Sequence, residues 1–197
     1  MASGPDSKVR VVKQKSQIVP QAPDPRAERT NAQITQAFVT LLSRRPYDRI
    51  RVSDITRKAR VGRATFYAHF ASKDALLASE LARVVLPMLA ELPGEPCLID
   101  CTGFFAHIQH ARSIYLSLTS GPARFVTERI IQDAFEARID EILVERGASG
   151  AAAPAFAARF VASTLLALIA WALQQQTAPP PAALQQTFRS LVGRALA

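Results

Sequence analysis

Cysteine is scarce: Cys97 and Cys101 are the only two in 197 residues. That excludes a disulfide scaffold and suits a reducing compartment, the cytoplasm. Glycine occurs 8 times and no short repeat is present, which excludes a collagen-like or low-complexity chain. The longest apolar run is the nine residues Leu165 to Leu173. A membrane-spanning helix needs about 20, so no span is expected. The basic start, MASGPDSKVRVVKQKSQ, leads into no apolar stretch and is not expected to be a secretory signal. Histidine is confined to positions 69, 107 and 110, and no glycine-rich phosphate loop, nucleophile elbow or HExxH pattern occurs. Neither an enzyme nor a cofactor is therefore expected.

Lysine is missing from residues 81–197, and this locates the net charge of +8. Residues 1–80 carry 5 Lys and 10 Arg against 5 Asp and 2 Glu, whereas in the remainder 9 Arg balance 9 acidic residues. All the excess positive charge thus lies at one end. A basic module joined to a neutral one points to a polyanion-binding end and an end with another task. With 49% hydrophobic residues the chain has enough apolar side chain for a real core.

Hydrophobic spacing places the elements. Residues 1–25 combine Lys8, Arg10, Lys13 and Lys15 with Pro20, Pro23 and Pro25 and little apolar side chain, so a disordered basic arm is expected there. A helix is predicted after Pro25, with Asp24 as cap and Ile34, Phe38, Leu41 and Leu42 on one face. Two short helices, Val52 to Ala59 and Arg63 to Phe70, flank the break Arg60-Val61-Gly62. Ser72 is a good cap for the next helix, which runs toward Met88. Leu92-Pro-Gly-Glu-Pro is a clear break. Cys97 to Ala111, Ser113 to Ser120, Arg124 to Arg146, Ala155 to Gln176 and Ala182 to Leu196 then read as helices. No strand pattern stands out. The expected class is all-α with about nine helices.

Two short helices across a tight turn, inside a basic segment, suggest a helix-turn-helix. The second helix of such a unit enters the major groove with its N-terminal side chains on base edges. Arg63, Ala64 and Thr65 hold those positions. Arg can bond guanine bidentately, and Thr offers a methyl or a hydroxyl. Ser53, Tyr67, His69 and Lys73 complete the candidate DNA-binding set, the last three suited to phosphates.

Residues 51–77, RVSDITRKARVGRATFYAHFASKDALL, resemble the DNA-binding signature of TetR-type transcriptional regulators. Val52, Asp54, Ile55, Ala59, Val61, Thr65, Phe66, Tyr67, His69, Phe70, Ser72, Lys73 and Leu76 match that pattern in register. Arg51 departs from the family's capping Thr, and Arg60 from its turn Gly. A residue other than Gly at position 60 must accept a left-handed backbone, costing roughly 1 kcal/mol.

The resemblance implies a helix-turn-helix domain at 26–72 and an effector-binding and dimerisation domain at 73–197. It further implies a homodimer through the last two helices, a near-palindromic double-stranded DNA operator, and release by a small effector, as in a repressor. Phe104, Phe105, Ile108, Tyr115, Phe125, Phe160 and Trp171 are candidates to line an apolar effector pocket. Trp171, in the most apolar segment, is expected to be largely buried. Cys97, Cys101, His107 and His110 do not share one helix face, so no metal site is expected. A regulator answering to a partner protein, or an architectural DNA-binding protein without an effector, is the other reading.

Overall fold

The computed structural model describes residues 25–93, 99–122, 124–145 and 153–196. The expected basic arm, the Asp24 cap and Cys97 lie outside the described residues. Among the described residues there are nine α-helices: α1 (Pro25–Leu42), α2 (Val52–Ala59), α3 (Arg63–His69), α4 (Lys73–Glu80), α5 (Thr102–His110), α6 (Arg112–Thr119), α7 (Arg124–Glu145), α8 (Ala153–Gln174) and α9 (Pro181–Leu196). The all-α expectation holds, with one correction. Ala90–Glu91 (β1) and Ile99–Asp100 (β2) pair as a two-residue antiparallel ribbon. A pairing this short leaves no alternating pattern for a sequence to show. It also displaces the start of α5 from Cys97 to Thr102, where the Asp100 carboxylate accepts bonds from the Thr102 amide and hydroxyl at 2.8 and 2.6 Å.

The cap of α4 follows from local chemistry. Ser72 Oγ accepts from the Ala75 amide at 3.0 Å, opening α4 as its sequence foretold. The helix does not continue regularly to Met88. Leu81–Val85 forms a π turn, closed by Leu86 N donating to Leu81 O, and Leu86–Met88 a 3₁₀ turn. Pro87 supplies the reason: it has no N–H for the Arg83 carbonyl, so the α ladder cannot run through it.

The core is continuous from end to end. Ile34, Phe38 and Leu42 of α1 meet Ile55, Phe66 and Leu76 in the N-terminal helices. Phe104, Tyr115, Ile131, Phe135 and Ile139 pack with Val161, Leu165 and Phe188 in the body. Alpha8 lies against α7 and α9. Its segment Ala155–Gln174 is long and apolar enough by composition to cross a membrane, which the nine-residue run did not suggest, because Arg159, Ser163 and Thr164 interrupt it. Half of that window is buried within the fold, as expected of a core helix.

Trp171 corrects the sequence reading. It is 50% exposed. With Phe156, Phe160 and Ala167 it follows a helical spacing along the outer face of α8, away from the Val161, Leu165 and Leu168 face that fills the core. High hydrophobicity all round a helix concealed which side met the interior.

Candidate nucleic-acid interface

The turn between α2 and α3 carries the interface. Arg60 adopts φ 56° and ψ 39°, the left-handed conformation expected at this position. Val61 N donates to Thr56 O at 3.1 Å and Arg60 N to Arg57 O at 3.3 Å. These two bonds make a Schellman ending, which reverses the chain without leaving the last carbonyls of α2 unsatisfied. Val61 then packs on the core. At the other end of α2, Arg51 takes the cap position in extended backbone, and the Asp54 carboxylate accepts its amide at 3.0 Å. Arg45 and Arg57 each approach Asp54 to 3.6 Å. The Arg51 amide, together with Arg45 and Arg57, holds the Asp54 carboxyl below its usual range.

Alpha3 is anchored by Phe66, fully buried, and by Phe70 just beyond it, ring to ring at 6.0 Å. Everything else on the helix turns outward. Arg63, Ala64, Thr65 and Tyr67 are exposed, and His69 is half-buried beside Phe70. Tyr67 is braced edge-on against Phe66 at 5.4 Å. Its ring is therefore positioned rather than free to sweep. Ser53, Arg63, Tyr67 and Lys73 line one open groove of about 590 Å³, together with Asp48 and Arg51. Sequence reasoning missed Arg51 as a groove residue because it was weighed only as a cap. A cap side chain that does not bond the helix end projects outward, and that signal was available.

Lys73 is placed differently from the expectation of a free phosphate ligand. Its Nζ donates to Tyr47 O at 2.8 Å and Ile50 O at 2.9 Å, and it sits 3.8 Å over the Tyr47 ring. Burial lowers its pKa, with Asp74 and Asp48 opposing. The Tyr47 hydroxyl donates to Asp74 Oδ1, and burial together with that bond raises the Tyr47 pKa. Lys73 and Asp74 thus clamp the 3₁₀ turn Tyr47–Arg49 between α1 and α2 from the start of α4.

The seven expected pocket residues do not gather in one place. Phe104 and Tyr115 line a half-open cavity of about 260 Å³ between α6, α7 and α8, with Phe135 and Leu166. Phe105 and Ile108 face the other way, toward Ala172 and Leu184. Phe160 is half-buried and stacks with Phe156. Phe125 is 69% exposed at the start of α7, under the Arg124 guanidinium, and lines neither of the two cavities just described. It opens its helix, where no neighbouring element covers it. Among the described residues no group of three His, Cys, Asp or Glu side chains could hold a metal ion.

An exposed short helix projecting from a braced, basic helix-turn-helix defines a DNA-binding protein with a helical body. Residues 34–79 match the family model of bacterial regulatory proteins of the tetR family. An HTH-type transcriptional regulator of Bacillus subtilis (strain 168), YxbF, is 28% identical over 171 residues, 84% of this chain. The chain spans 45% of the length of that relative. The fold is shared with a TetR transcriptional regulator of Streptococcus agalactiae (TM-score 0.58, 22% identity, 86% of this chain and 96% of that one). It is also shared with RolR in complex with resorcinol (TM-score 0.54, 19% identity, 87% and 89%). Residues 34–79 are thus similar to the DNA-binding segment of tetR-family regulators, and the described residues share the fold of these solved structures.

Proposed function

We propose that this chain is a TetR-type cytoplasmic repressor that binds a near-palindromic operator as a homodimer and is released by a small, mostly apolar effector. The observation that carries the reading is α3: a buried Phe66 fixes the helix while Arg63, Ala64, Thr65 and Tyr67 stand outward from its N-terminal end. On this reading residues 26–72 read DNA and 73–197 sense and dimerise. Arg63 and Thr65 reach base edges; Ser53, Tyr67 and His69 contact the backbone.

The dimer is supported by the outer face of α8. Phe156 at 71% exposure and Trp171 at 50% form an apolar stripe with Phe160, and Leu191 of α9, the helix packed against α8, is 50% exposed. Apolar faces of this kind usually meet a partner. An effector is supported by the cavity walled by Phe104, Tyr115, Phe135 and Leu166, with Gln132 and Ser163 at its polar side. RolR, a neighbour in fold, holds resorcinol, which is the size and apolarity such a space suits.

Selection of duplexes from a random pool by the full chain tests the reading. The expected result is a two-fold related pair of half-sites separated by about 34–36 Å or a multiple. Enrichment of no sequence would overturn it in favour of an architectural protein. Release by no small molecule in a compound screen, with specific binding intact, would favour control by a partner protein.

A further inference from the structure

A second cavity lies apart from the one assigned to the effector. It occupies about 230 Å³ where α1 crosses the π turn of α4 and α6. Phe38 and Leu42 of α1, Leu81 and Val84 of the π turn, and Ile114 and Leu118 of α6 supply apolar walls. Leu81 and Tyr115 are common to both cavities and form the partition between them.

Two features separate this space from a packing defect. The first is polar. His107 and Tyr115 both line it, ring to ring at 5.8 Å, and Tyr115 is only 5% exposed. Among the described residues neither the Tyr115 hydroxyl nor the His107 ring nitrogens have a hydrogen-bond partner. The hydroxyl and the ring nitrogens are therefore free to bond a ligand that enters this half-open space. Burial lowers the His107 pKa, His110 adding to it, and burial raises that of Tyr115. The charged groups at the rim, Glu80 and Arg83, satisfy each other through a two-pronged pair at 2.7 and 3.1 Å. Nothing in the lining calls for a charged ligand.

The second feature is size. An apolar cavity of about 150 Å³ admits benzene. The present space, larger and half-open, therefore has room for one ring with small substituents.

We propose that this interdomain cavity is a ligand site for an uncharged single-ring compound bearing one hydroxyl, which bonds to His107 and Tyr115 while its ring fills the apolar walls. Because α1 and the π turn form the walls, occupancy fixes how the helix-turn-helix sits on the body. A π turn is a place where a helix can change register by one residue. That last consequence depends on the DNA-binding reading; the site itself does not.

The test is titration calorimetry of the full chain, without DNA, using para-cresol, with toluene as the probe lacking the hydroxyl. Saturable binding of para-cresol, at least tenfold tighter than toluene, is expected. Tyr115→Phe should weaken it several-fold. Ile114→Trp, which fills this cavity alone, should abolish it, whereas Ala167→Trp, on the wall of the other cavity alone, should leave it unchanged. Should Ile114→Trp not fold, methyl NMR of the wild-type chain decides: the Val39, Leu42 and Val84 methyls should shift on titration. No saturable binding, equal affinity for toluene, or loss in Ala167→Trp with the Val39 and Val84 methyls unmoved would overturn the proposal. DNA is absent from the assay, so failure of operator recognition and failure of this site remain distinguishable.

Discussion

Ser117 Oγ, buried on α6, donates a 2.7 Å hydrogen bond to the Arg45 carbonyl at the end of α1. A few residues on, Gly121 with φ 80° brings the corner after α6 beside Asp48, and a Cβ there would lie 3.4 Å from Asp48 Oδ1. The same link is clamped from its other side by Lys73 and Asp74. The segment joining α1 to α2 is thus held between the body and the first turn of α4. Ser117 thus ties α6 to this link. Ser117→Ala should cost about 1 kcal/mol, a fall in Tm of roughly 2–4 °C for a chain this size. If the link transmits the effector's signal, the variant should also show weaker coupling between effector and operator binding. Thermal melts with operator titrations, with and without effector, check both.

Lys73→Ala should behave as a stability variant more than an electrostatic one. It removes two hydrogen bonds from a charged donor, each worth roughly 1.5–3 kcal/mol; the Ile50 carbonyl loses this donor, whereas the Tyr47 carbonyl keeps the Ile50 amide at 3.1 Å. A phosphate ligand lost from both subunits would lower the salt slope by about 2. The engaged ammonium of Lys73 should change it by less than one. Urea denaturation and operator affinity at several salt concentrations separate the two effects. A full change of about 2 with unaltered stability would return Lys73 to the phosphate-binding set.

Arg60→Gly should stabilise the chain by up to about 1 kcal/mol, because glycine accepts the left-handed turn without the steric cost. The gain is reduced by the greater freedom glycine has in the unfolded chain. The midpoint of urea unfolding should rise with an unchanged slope. A fall in stability would mean that the Arg60 side chain contributes more than its backbone strain costs.

Acid should destabilise the chain through His107. Its folded-state pKa lies below the unfolded value, chiefly from burial. The unfolded state then binds more protons, so the contribution is complete above the unfolded pKa of about 6.5 and is lost as pH falls through the folded value. His107→Gln should flatten the dependence of Tm on pH below about 6.5. An unchanged dependence would assign the acid sensitivity to other groups.

The N-terminal half was legible in the sequence because its signals are local. A serine three residues before an acceptor-seeking amide, a short break between two periodic segments, and a mismatch at position 60 each concern adjacent residues. Arg60 and Ser72 were therefore placed correctly. The body was less legible because its questions are not local. Phe125 and Trp171 are as apolar as Phe104 and Tyr115, and only the packing of α7 and α8 decides which face inward. Lys73 shows the same limit: its partners, the Tyr47 and Ile50 carbonyls, are more than twenty residues away, and no spacing rule reveals them. Trp171→Glu, read by sedimentation, decides whether the exposed stripe is the dimer face. A monomer is expected, and an unchanged dimer would move the interface elsewhere.

Base reading and backbone binding should separate on α3 itself. Arg63 is exposed at its first turn and has no ion pair among the described residues. Tyr67 lies one turn further along, braced against Phe66. A bidentate Arg–guanine contact gives about 1–3 kcal/mol of discrimination. Arg63→Ala should therefore weaken binding to the selected operator while barely altering binding to random duplex, and flatten the preference at one base pair in each half-site. Tyr67→Phe removes a hydroxyl but no charge. It should weaken both duplexes alike and leave the salt slope unchanged, since no counterion is released by that group. Comparing operator and random duplex at several salt concentrations distinguishes the two outcomes. Equal losses on both duplexes for Arg63→Ala would assign Arg63 to a phosphate and transfer the reading of bases to Thr65, the next outward side chain long enough to reach them.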